Sequence, residues 1–330
     1  MARKFLLYIF AVLMVSLCKS VLAGAGTYSI YEIQWTTDPN GNSPLEGQVI
    51  DCTGGIVTHK YGGSKPKLTI QDPNFPSGWG AIQVKDGLAG APLFNKVAVG
   101  DRVTLSNMYV EEFRGNTTLQ CLAGYDPNIT VVSSGNRLPE AIVVRLDEIA
   151  SPAQDLYGDW YVINHNAEKY EHTWLRVKNV TVTAIDLGKA KDNYVLWDSD
   201  NPDDPNFSCW ASDYMNEDRS DNYHPYVYVG QHFCGVEGIL EQYTKVSDGW
   251  DYYQLLTTRS EDFVVQQAAD LDGDCDVDFV DFVIFAQHWL EEECNEPDWC
   301  SGADLTSDNP DGVVDIFDLS KFAQHWLEGK

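Results

Sequence analysis

The sequence predicts a mainly β protein, with two tandem small β-barrels followed by a small α-helical domain. Short β-prone runs such as 67–70 and 81–84 are separated by Gly, Pro, Asn and Asp, which favour turns. About 240 residues precede the tail, which exceeds the usual size of one small barrel. Helical periodicity is concentrated in the tail. We therefore predict β-domains at 27–136 and 137–266 and a helical domain at 267–330.

An internal repeat supports two similar β-domains. Residues 97–103 read Val-Ala-Val-Gly-Asp-Arg-Val, and residues 227–233 read Val-Tyr-Val-Gly-Gln-His-Phe, at an offset of 130. A glutamate follows each glycine after eleven residues, at Glu111 and Glu241. We interpret Glu111 and its neighbour Glu112 as a solvated hairpin edge. Residues 133–139 have loop composition and mark the boundary between the copies.

Three short segments carry a resemblance to a known fold. They are Gly-Gln-Val at 47–49, Leu-Thr-Ile-Gln-Asp at 68–72 and Val-Gly-Asp-Arg-Val at 99–103. On these segments the two halves resemble the OB-like β-barrels appended to secreted bacterial nucleases and other exported proteins. The resemblance implies five-stranded barrels that bind an oligonucleotide or an oligosaccharide on one face. A β-sandwich is the alternative fold.

The tail opens with an acidic loop at residues 270–281. Aspartates occupy loop positions 1, 3, 5, 7, 9 and 12. Oxygen ligands at this spacing suit a hard, flexible cation such as Ca²⁺, with a backbone carbonyl used at position 7. Six carboxylates within twelve residues would repel one another without a cation. The loop predicts a calcium site, against the alternative of a solvated acidic loop; its ligands would be Asp270, Asp272, Asp274, Asp276, Asp278 and Asp281.

A second, less regular loop predicts a second Ca²⁺ ion. Asp311, Asp315 and Asp318 fall at positions 5, 9 and 12. Strict counting back places Ser307 and Asn309 at positions 1 and 3, whereas a three-residue insertion would let Asp304 and Asp308 take part. We favour the insertion because Ala-Asp-Leu at 303–305 repeats Ala-Asp-Leu at 269–271.

A helix is predicted after each loop. The hexapeptide Phe-Ala-Gln-His-Trp-Leu begins at Phe285 and again at Phe322, 37 residues later. Apolar residues recur at i, i+3, i+4, i+7 and i+8, which gives each helix one apolar face. We expect the two faces to pack on each other; they comprise Phe282, Phe285, Ala286, Trp289 and Leu290 in the first helix and Leu319, Phe322, Ala323, Trp326 and Leu327 in the second.

Through its loops, helices and duplication, the tail resembles a dockerin, the module that attaches secreted enzymes and binding proteins to cohesin-bearing partners. The resemblance implies two Ca²⁺ ions and a cohesin-like or other cell-surface receptor for residues 267–330. Two features depart from the pattern. Cys275 stands at loop position 6, where glycine is usual, and Phe279–Val280 and Ile316–Phe317 replace small hydroxyl residues at positions 10 and 11. These departures favour a receptor other than an ordinary cohesin.

The first 23 residues predict export. Arg3 and Lys4 precede an apolar run at 5–17, and small residues follow as at a cleavage site. We therefore predict a secreted bacterial protein that could be attached to a cell surface. Disulfides are the default in an oxidising compartment. Seven cysteines follow the signal, and their positions suggest one pair in each β-domain and a cluster in the tail, with at least one thiol left over.

Composition limits the functional choices. The formal net charge of −28 opposes binding to nucleic acid phosphates. The sequence has no nucleophile elbow, zinc-protease helix or phosphate-binding loop. The second half is rich in aromatic residues, which can stack on sugars or bases. The best candidates for exposed ligand-binding side chains lie in its acidic insertion: Trp210, Tyr214 and Tyr223.

These observations favour a secreted noncatalytic binding or adaptor protein in extracellular polysaccharide degradation. Two alternatives remain open. One is a secreted glycosidase or nuclease whose site is not recognisable from sequence, and the other is an extracellular nucleic-acid-binding OB-fold protein.

Overall fold

The structure of the protein is a computed structural model. Four predictions lie wholly outside the residues it describes: the signal peptide at 1–23, Tyr214, Tyr223 and Asp308. The described residues are 26–62, 66–149, 152–154, 160–162, 165–185, 193–213, 227–245, 247, 249–305 and 311–327.

The chain is mainly β, as predicted, and its strands form two sheets. The helices of the described residues are short, and none is long and apolar enough to cross a membrane. The first sheet contains β1 (Thr27–Tyr28), β2 (Val49–Tyr61), β3 (Lys67–Gln71), β4 (Ala81–Asp86), β5 (Arg102–Phe113), β6 (Asn116–Cys121) and β7 (Asn128–Ser133). The second contains β8 (Ile142–Val143), β9 (Pro152–Gln154), β10 (Trp160–Val162), β11 (Trp174–Ile185), β12 (Asn193–Asp198), β13 (Ser208–Ser212), β14 (His232–Lys245), β15 (Trp250–Leu256) and β16 (Phe263–Val264).

Five strands of the first sheet form a closed cycle of pairings. The order is β2–β3–β4–β6–β5, and β5 pairs back onto β2. The β4–β6 pair is parallel, whereas the other four pairs are antiparallel. Apolar residues alternate along these strands and fill the inside of the cycle, for example Leu68, Ile70, Ile82 and Val84. A single closed cycle differs from the two stacked sheets of a β-sandwich.

The second sheet repeats this plan. Its cycle runs β11–β12–β13–β15–β14, and β14 pairs with β11, with β13–β15 as the parallel pair. The predicted repeat occupies equivalent places in the two cycles. Gly100 and Gly230 have φ of 86° and 91°, values that favour glycine, just before β5 and β14 begin. These strands start at Arg102 and His232, which preserves the offset of 130 residues.

A five-residue helix, α1 (Ile30–Gln34), packs on the first cycle. Ser29 caps its N-terminus, and the carboxylate of Glu32 accepts the backbone N–H of Ser29 in return. Ile30 and Ile33 are buried in the first core. Burial of each such side chain contributes about 1.5–3 kcal/mol to stability.

Two further helices, α2 (Phe279–Gln287) and α3 (Ile316–Gln324), occupy the tail. They pack through Phe285 and Phe322, which are buried with ring centroids 5.4 Å apart. The predicted length of the helices is wrong, since both end before their Trp-Leu pair. The two apolar stripes contact each other, as expected, through Phe282, Phe285, Phe322 and Trp326. They also leave a surface groove between them, and Leu290 and Leu327 remain more than half exposed.

The disulfide prediction for the β-domains is wrong. Cys52, Cys121 and Cys209 are buried free thiols. Cys52 lies on β2 and Cys121 ends β6, and these strands are separated by β5 in the cycle. The two disulfides among the described residues join Cys234 to Cys275 and Cys294 to Cys300. The tail therefore contains one internal bridge and one bridge to the second sheet.

Candidate metal centre

The first acidic loop is organised around its two terminal carboxylates. Asp281 accepts the backbone N–H of Leu271 at 2.7 Å on one oxygen and that of Asp278 at 2.7 Å on the other. Asp270 accepts the N–H groups of Gly273 and Cys275, at 2.8 and 3.0 Å. Hydrogen bonds to ionised acceptors are stronger than neutral ones. Asp270 and Asp281 therefore fix the loop backbone while remaining buried.

The other carboxylates of this loop gather beside these two. One ligand oxygen from each of Asp270, Asp272 and Asp274 lies within 4.8 Å of the others, and Asp276, Asp278 and Asp281 form a second such trio. Burial raises the pKa of Asp270, and the nearby charges of Asp281 and Asp274 raise it further. The hydrogen bonds that Asp270 accepts from Gly273 and Cys275 act in the opposite direction. This concentration of oxygen donors and negative charge suits a hard divalent cation.

The second loop repeats these contacts. Asp318 accepts the N–H of Leu305 at 2.7 Å and that of Asp315 at 2.8 Å, and Asp304 accepts the N–H of Gly312 at 2.9 Å. Asp304 therefore occupies the place of Asp270, with three more residues before Asp318. This arrangement corresponds to the register with an insertion. Asp311 also lies in this loop and accepts the N–H of Val313.

The two halves of the tail are joined reciprocally. Leu290 donates its N–H to the carbonyl of Val314 at 2.9 Å, and Leu327 donates to the carbonyl of Val277 at the same distance. Both leucines have φ of 65°, which explains why the helices end before them. Val277 and Val314 are buried in one small core. Each helix end is thus hydrogen-bonded to the loop of the other half.

Cys275 ties the first loop to the second sheet. It has φ of 72°, a conformation that favours glycine, yet it forms a disulfide with Cys234 on β14. Its backbone N–H donates to Asp270. Sequence spacing could not reveal this bridge, because the two cysteines are 41 residues apart in different predicted domains.

The donor atoms of both loops are oxygens, which fit Ca²⁺ in chemistry. The first loop offers carboxylates at five ligand positions and the carbonyl of Asp276 at position 7. The second offers Asp304, Asp311, Asp315 and Asp318 among the described residues. Nitrogen and sulfur donors, which softer transition metals prefer, are absent from these donor sets.

An apolar groove lies on the helices that follow the loops. Its volume is about 220 Å³ and its lining exposes no polar surface. Phe279 stands at its edge, 70 % exposed, with its ring 5.3 Å from that of Trp326. We call this surface the helix groove; it is lined by Phe279, Phe282, Leu319, Phe322, Ala323 and Trp326.

The exposure predicted for Trp210 is wrong. The side chain is only 4 % exposed, and its ring lies 4.6 Å from that of Tyr252. Trp210 belongs to β13, and the short helical turn Leu146–Glu148 lies against this strand. Trp210 therefore lies on a buried strand that follows the acidic residues 198–204, and it is not an exposed side chain of the insertion.

Comparisons with known proteins give no close relative. No family model matches the chain, and no curated protein matches it. Among solved structures it is similar to the tetrameric p202 HIN2, with 15% identity over 26% of this chain and 42% of that chain, at a TM-score of 0.22. This chain thus spans less than half the length of that structure.

Two other solved structures are similar at the same low level. An OB domain from Methanosarcina mazei shares 16% identity over 27% of this chain and 76% of that chain, with a TM-score of 0.22. Fission yeast Pot1, solved with single-stranded DNA, shares 12% identity over 71% of this chain and 90% of that chain, with a TM-score of 0.27. Likenesses of this strength assign neither a fold nor a ligand.

Proposed function

We propose that this chain is a secreted, noncatalytic binding protein attached to a protein partner through a calcium-loaded tail. The tail, residues 267–330, would be a dockerin-type module holding two Ca²⁺ ions. The observation that carries the proposal is the duplicated carboxylate plan. Asp281 and Asp318 each accept N–H groups from the beginning and from position 9 of their own loop.

Calcium would supply the charge that the loops lack. Residues 270–330 contain 17 acidic and two basic side chains. Repulsion among the carboxylates destabilises the folded loops. A bound cation would attract the same carboxylates and so stabilise the loops. The other ligands in this proposal are Asp270, Asp272, Asp274, Asp276 and Asp278 in the first loop and Asp304, Asp308, Asp311 and Asp315 in the second.

The helix groove is the proposed attachment surface. Phe279, Val280, Ile316 and Phe317 are all more than half exposed at the starts of the two helices. Exposed apolar patches of this kind mark interaction sites. Because these positions carry large apolar side chains instead of hydroxyls, the receptor would present an apolar surface rather than one rich in hydrogen-bonding groups.

We further propose that the two five-strand cycles are OB-type barrels. The closure of strands in the order first, second, third, fifth and fourth is typical of that fold. The acidic charge favours a neutral glycan over a polyanion as the ligand. A nucleic-acid ligand is the second candidate, favoured by the strand order alone.

The proposal is tested with the purified mature protein and its Asp281→Asn/Asp318→Asn variant. Calcium should raise the Tm of the wild type in the presence of a Mg²⁺ background and should leave the Tm of the variant nearly unchanged. A glycan array and a gel shift with single-stranded DNA then separate the two ligand classes. Release of reducing ends or nucleotides by the protein would contradict the noncatalytic assignment.

A further inference from the structure

Five outward-facing side chains of β2, β3 and β4 are buried. Residues such as Leu68 and Val84 point into the first core, so their neighbours along each strand point away from it. Those neighbours would normally meet solvent, but each is at most 7 % exposed. We call this surface the covered face; it comprises His59, Thr69, Gln71, Gln83 and Lys85.

The second β-domain supplies the cover. The ring of Trp174 meets that of His59 edge to face at 5.3 Å, and its backbone N–H donates to Gln71. Glu241 forms an ion pair with Lys67 at 3.8 Å. The apolar part of the contact is small, with Tyr61 packed against Ile239 and Leu256 at its centre. The interface therefore has little apolar surface to stabilise it.

Several polar atoms at this interface are unmatched. Within the described part of the chain, Thr69 Oγ1, Gln83 Nε2 and both ring nitrogens of His59 have no hydrogen-bond partner. The same holds for Trp174 Nε1 and Glu171 Oε1 on the covering side. A buried polar group without a hydrogen bond loses the interaction that it would make with water. These losses favour separation of the two domains, where the same atoms would meet water.

Two buried carboxylates, of Glu168 and Glu171, and the half-buried carboxylate of Glu112 lie beside the covered face. Glu171 accepts the backbone N–H of Thr117 at 3.0 Å, and Glu112 accepts the hydroxyl of the same threonine at 2.7 Å. Glu168 accepts the hydroxyl of Tyr253 at 2.6 Å. We call these the seam carboxylates. The other titratable groups that face them are Asp38, Glu46, Lys67, Lys85, Glu111, His165, His172, Glu241, Asp251 and Tyr253.

We propose that the second β-domain is a removable cover over the outward face of β3 and β4, and that ionisation of Glu168 and Glu171 weakens it as the pH rises. β3 and β4 are the second and third strands of the first cycle, the face that binds ligands in OB-type barrels. Closure of the cover keeps that face from any ligand. Opening would present a polar surface that includes Lys85.

The sign follows from burial. Burial raises the pKa of Glu168 to about 8, and burial together with the charge of Glu168 raises that of Glu171. Both acids have their usual pKa near 4.5 when exposed, so the stability they lend to the closed state is complete below pH 4.5 and is lost as the pH rises toward 8. Burial lowers the pKa of His172, which opposes closure only below about pH 6.5. Burial lowers the pKa of Lys85 to about 8. Lys85 therefore changes the pH dependence of closure only above about pH 8.

The interval from pH 6.5 to 8.0 therefore leaves out the titrations of His172 and Lys85 and reports on the seam carboxylates. Hydrogen exchange of the full protein is measured at both pH values and corrected for the intrinsic pH dependence of exchange. The amides that donate across the seam, those of Trp79, Thr117 and Trp174, should lose protection by roughly tenfold per pH unit for each proton released. Peptides from β12 should not change. Equal corrected protection of these three amides at the two pH values would overturn the proposal.

Glu168→Gln and Glu171→Gln are the informative variants, because glutamine keeps the shape of the side chain and cannot ionise. Each should reduce the pH dependence of exchange at the amides of Trp79, Thr117 and Trp174. Glu140→Gln, at an exposed glutamate in the connecting segment, is the control and should retain the wild-type dependence. Small-angle scattering of the wild type provides a second measurement that needs no variant. A larger radius of gyration at pH 8.0 than at pH 6.5 supports the proposal, and an equal radius at the two pH values contradicts it.

Discussion

Leu327 donates its backbone N–H to the carbonyl oxygen of Val277 at 2.9 Å, which links the end of the second tail helix to the first acidic loop. The mirror contact, from Leu290 to Val314, links the first helix to the second loop. Neither loop is therefore held by its own helix alone. A change in either loop should be felt in both halves of the tail.

Replacement of Asp281 should destabilise the tail more than replacement of an exposed aspartate. Asp281→Ala leaves the N–H groups of Leu271 and Asp278 without their acceptor, at about 1–3 kcal/mol for each. Chemical unfolding in chelator measures this cost without a contribution from calcium. Asp203→Ala, at an exposed position in the turn between β12 and β13, is the control and should change stability by less than about 0.5 kcal/mol. Equal effects of the two changes would contradict the role given to Asp281.

The Cys234–Cys275 bridge should stabilise the first loop by about 2–4 kcal/mol, the usual range for a disulfide. Because Cys275 has φ of 72°, the residue that replaces it matters. Cys234→Ala/Cys275→Gly should be about 1 kcal/mol more stable than Cys234→Ala/Cys275→Ala, since glycine adopts this conformation without strain. Unfolding curves of the two double variants give the comparison. The reverse order of stability would show that the left-handed conformation is not retained.

The two phenylalanines at the helix contact should differ from those on the surface. Phe285→Ala or Phe322→Ala creates a cavity in the small core and should cost about 3–5 kcal/mol. Phe317→Ala, at a side chain 65 % exposed, should cost less than about 0.5 kcal/mol. Phe317→Ala should still fold and should bind the receptor more weakly than the wild type does. If Phe317→Ala loses stability but keeps its affinity for the receptor, the receptor binds elsewhere.

Glu168→Gln should stabilise the protein at pH 8 and have little effect at pH 4.5. The wild-type carboxyl has a pKa raised to about 8 by burial, so it retains its proton while an exposed glutamate loses it. The free-energy cost of keeping Glu168 protonated in the folded protein grows by ~1.4 kcal/mol per pH unit between the ordinary pKa of an exposed glutamate and the raised pKa of Glu168. Glutamine can still accept the hydroxyl of Tyr253. Unfolding free energies of both proteins across this range measure the difference, and parallel curves would contradict it.

Local sequence patterns predicted the strands, the repeat and the acidic loops well. Gly100 and Gly230 and the runs around them have a regular local signature, and each acidic loop is contained within a short segment. The hydrogen bonds of Asp304 and Asp318 also match the register with a three-residue insertion, which the repeated tripeptide Ala-Asp-Leu favours. These features depend on neighbours along the chain.

Features that depend on distant partners were missed. The sequence predicts a solvated hairpin residue at Glu112, but its carboxylate is half-buried, acts on Glu168 of the second domain and accepts the N–H of Ser43. Burial raises the pKa of its carboxyl. Nothing in the sequence near Glu168 or Glu171 predicts a buried pair, because the partners Tyr253 and Thr117 lie far away in the chain. The exposed apolar surface of α2 and α3 could not be predicted, because sequence periodicity identifies an apolar stripe but not the residues that cover it.

Isothermal titration of calcium into the full-length mature protein, after removal of bound metal with chelator, tests the central claim most directly. Two ions should bind per chain, and Asp281→Asn/Asp318→Asn should abolish or greatly weaken both events. A wild-type protein that releases no heat, and whose near-ultraviolet circular dichroism is unchanged by the ion, would contradict a calcium-loaded attachment tail.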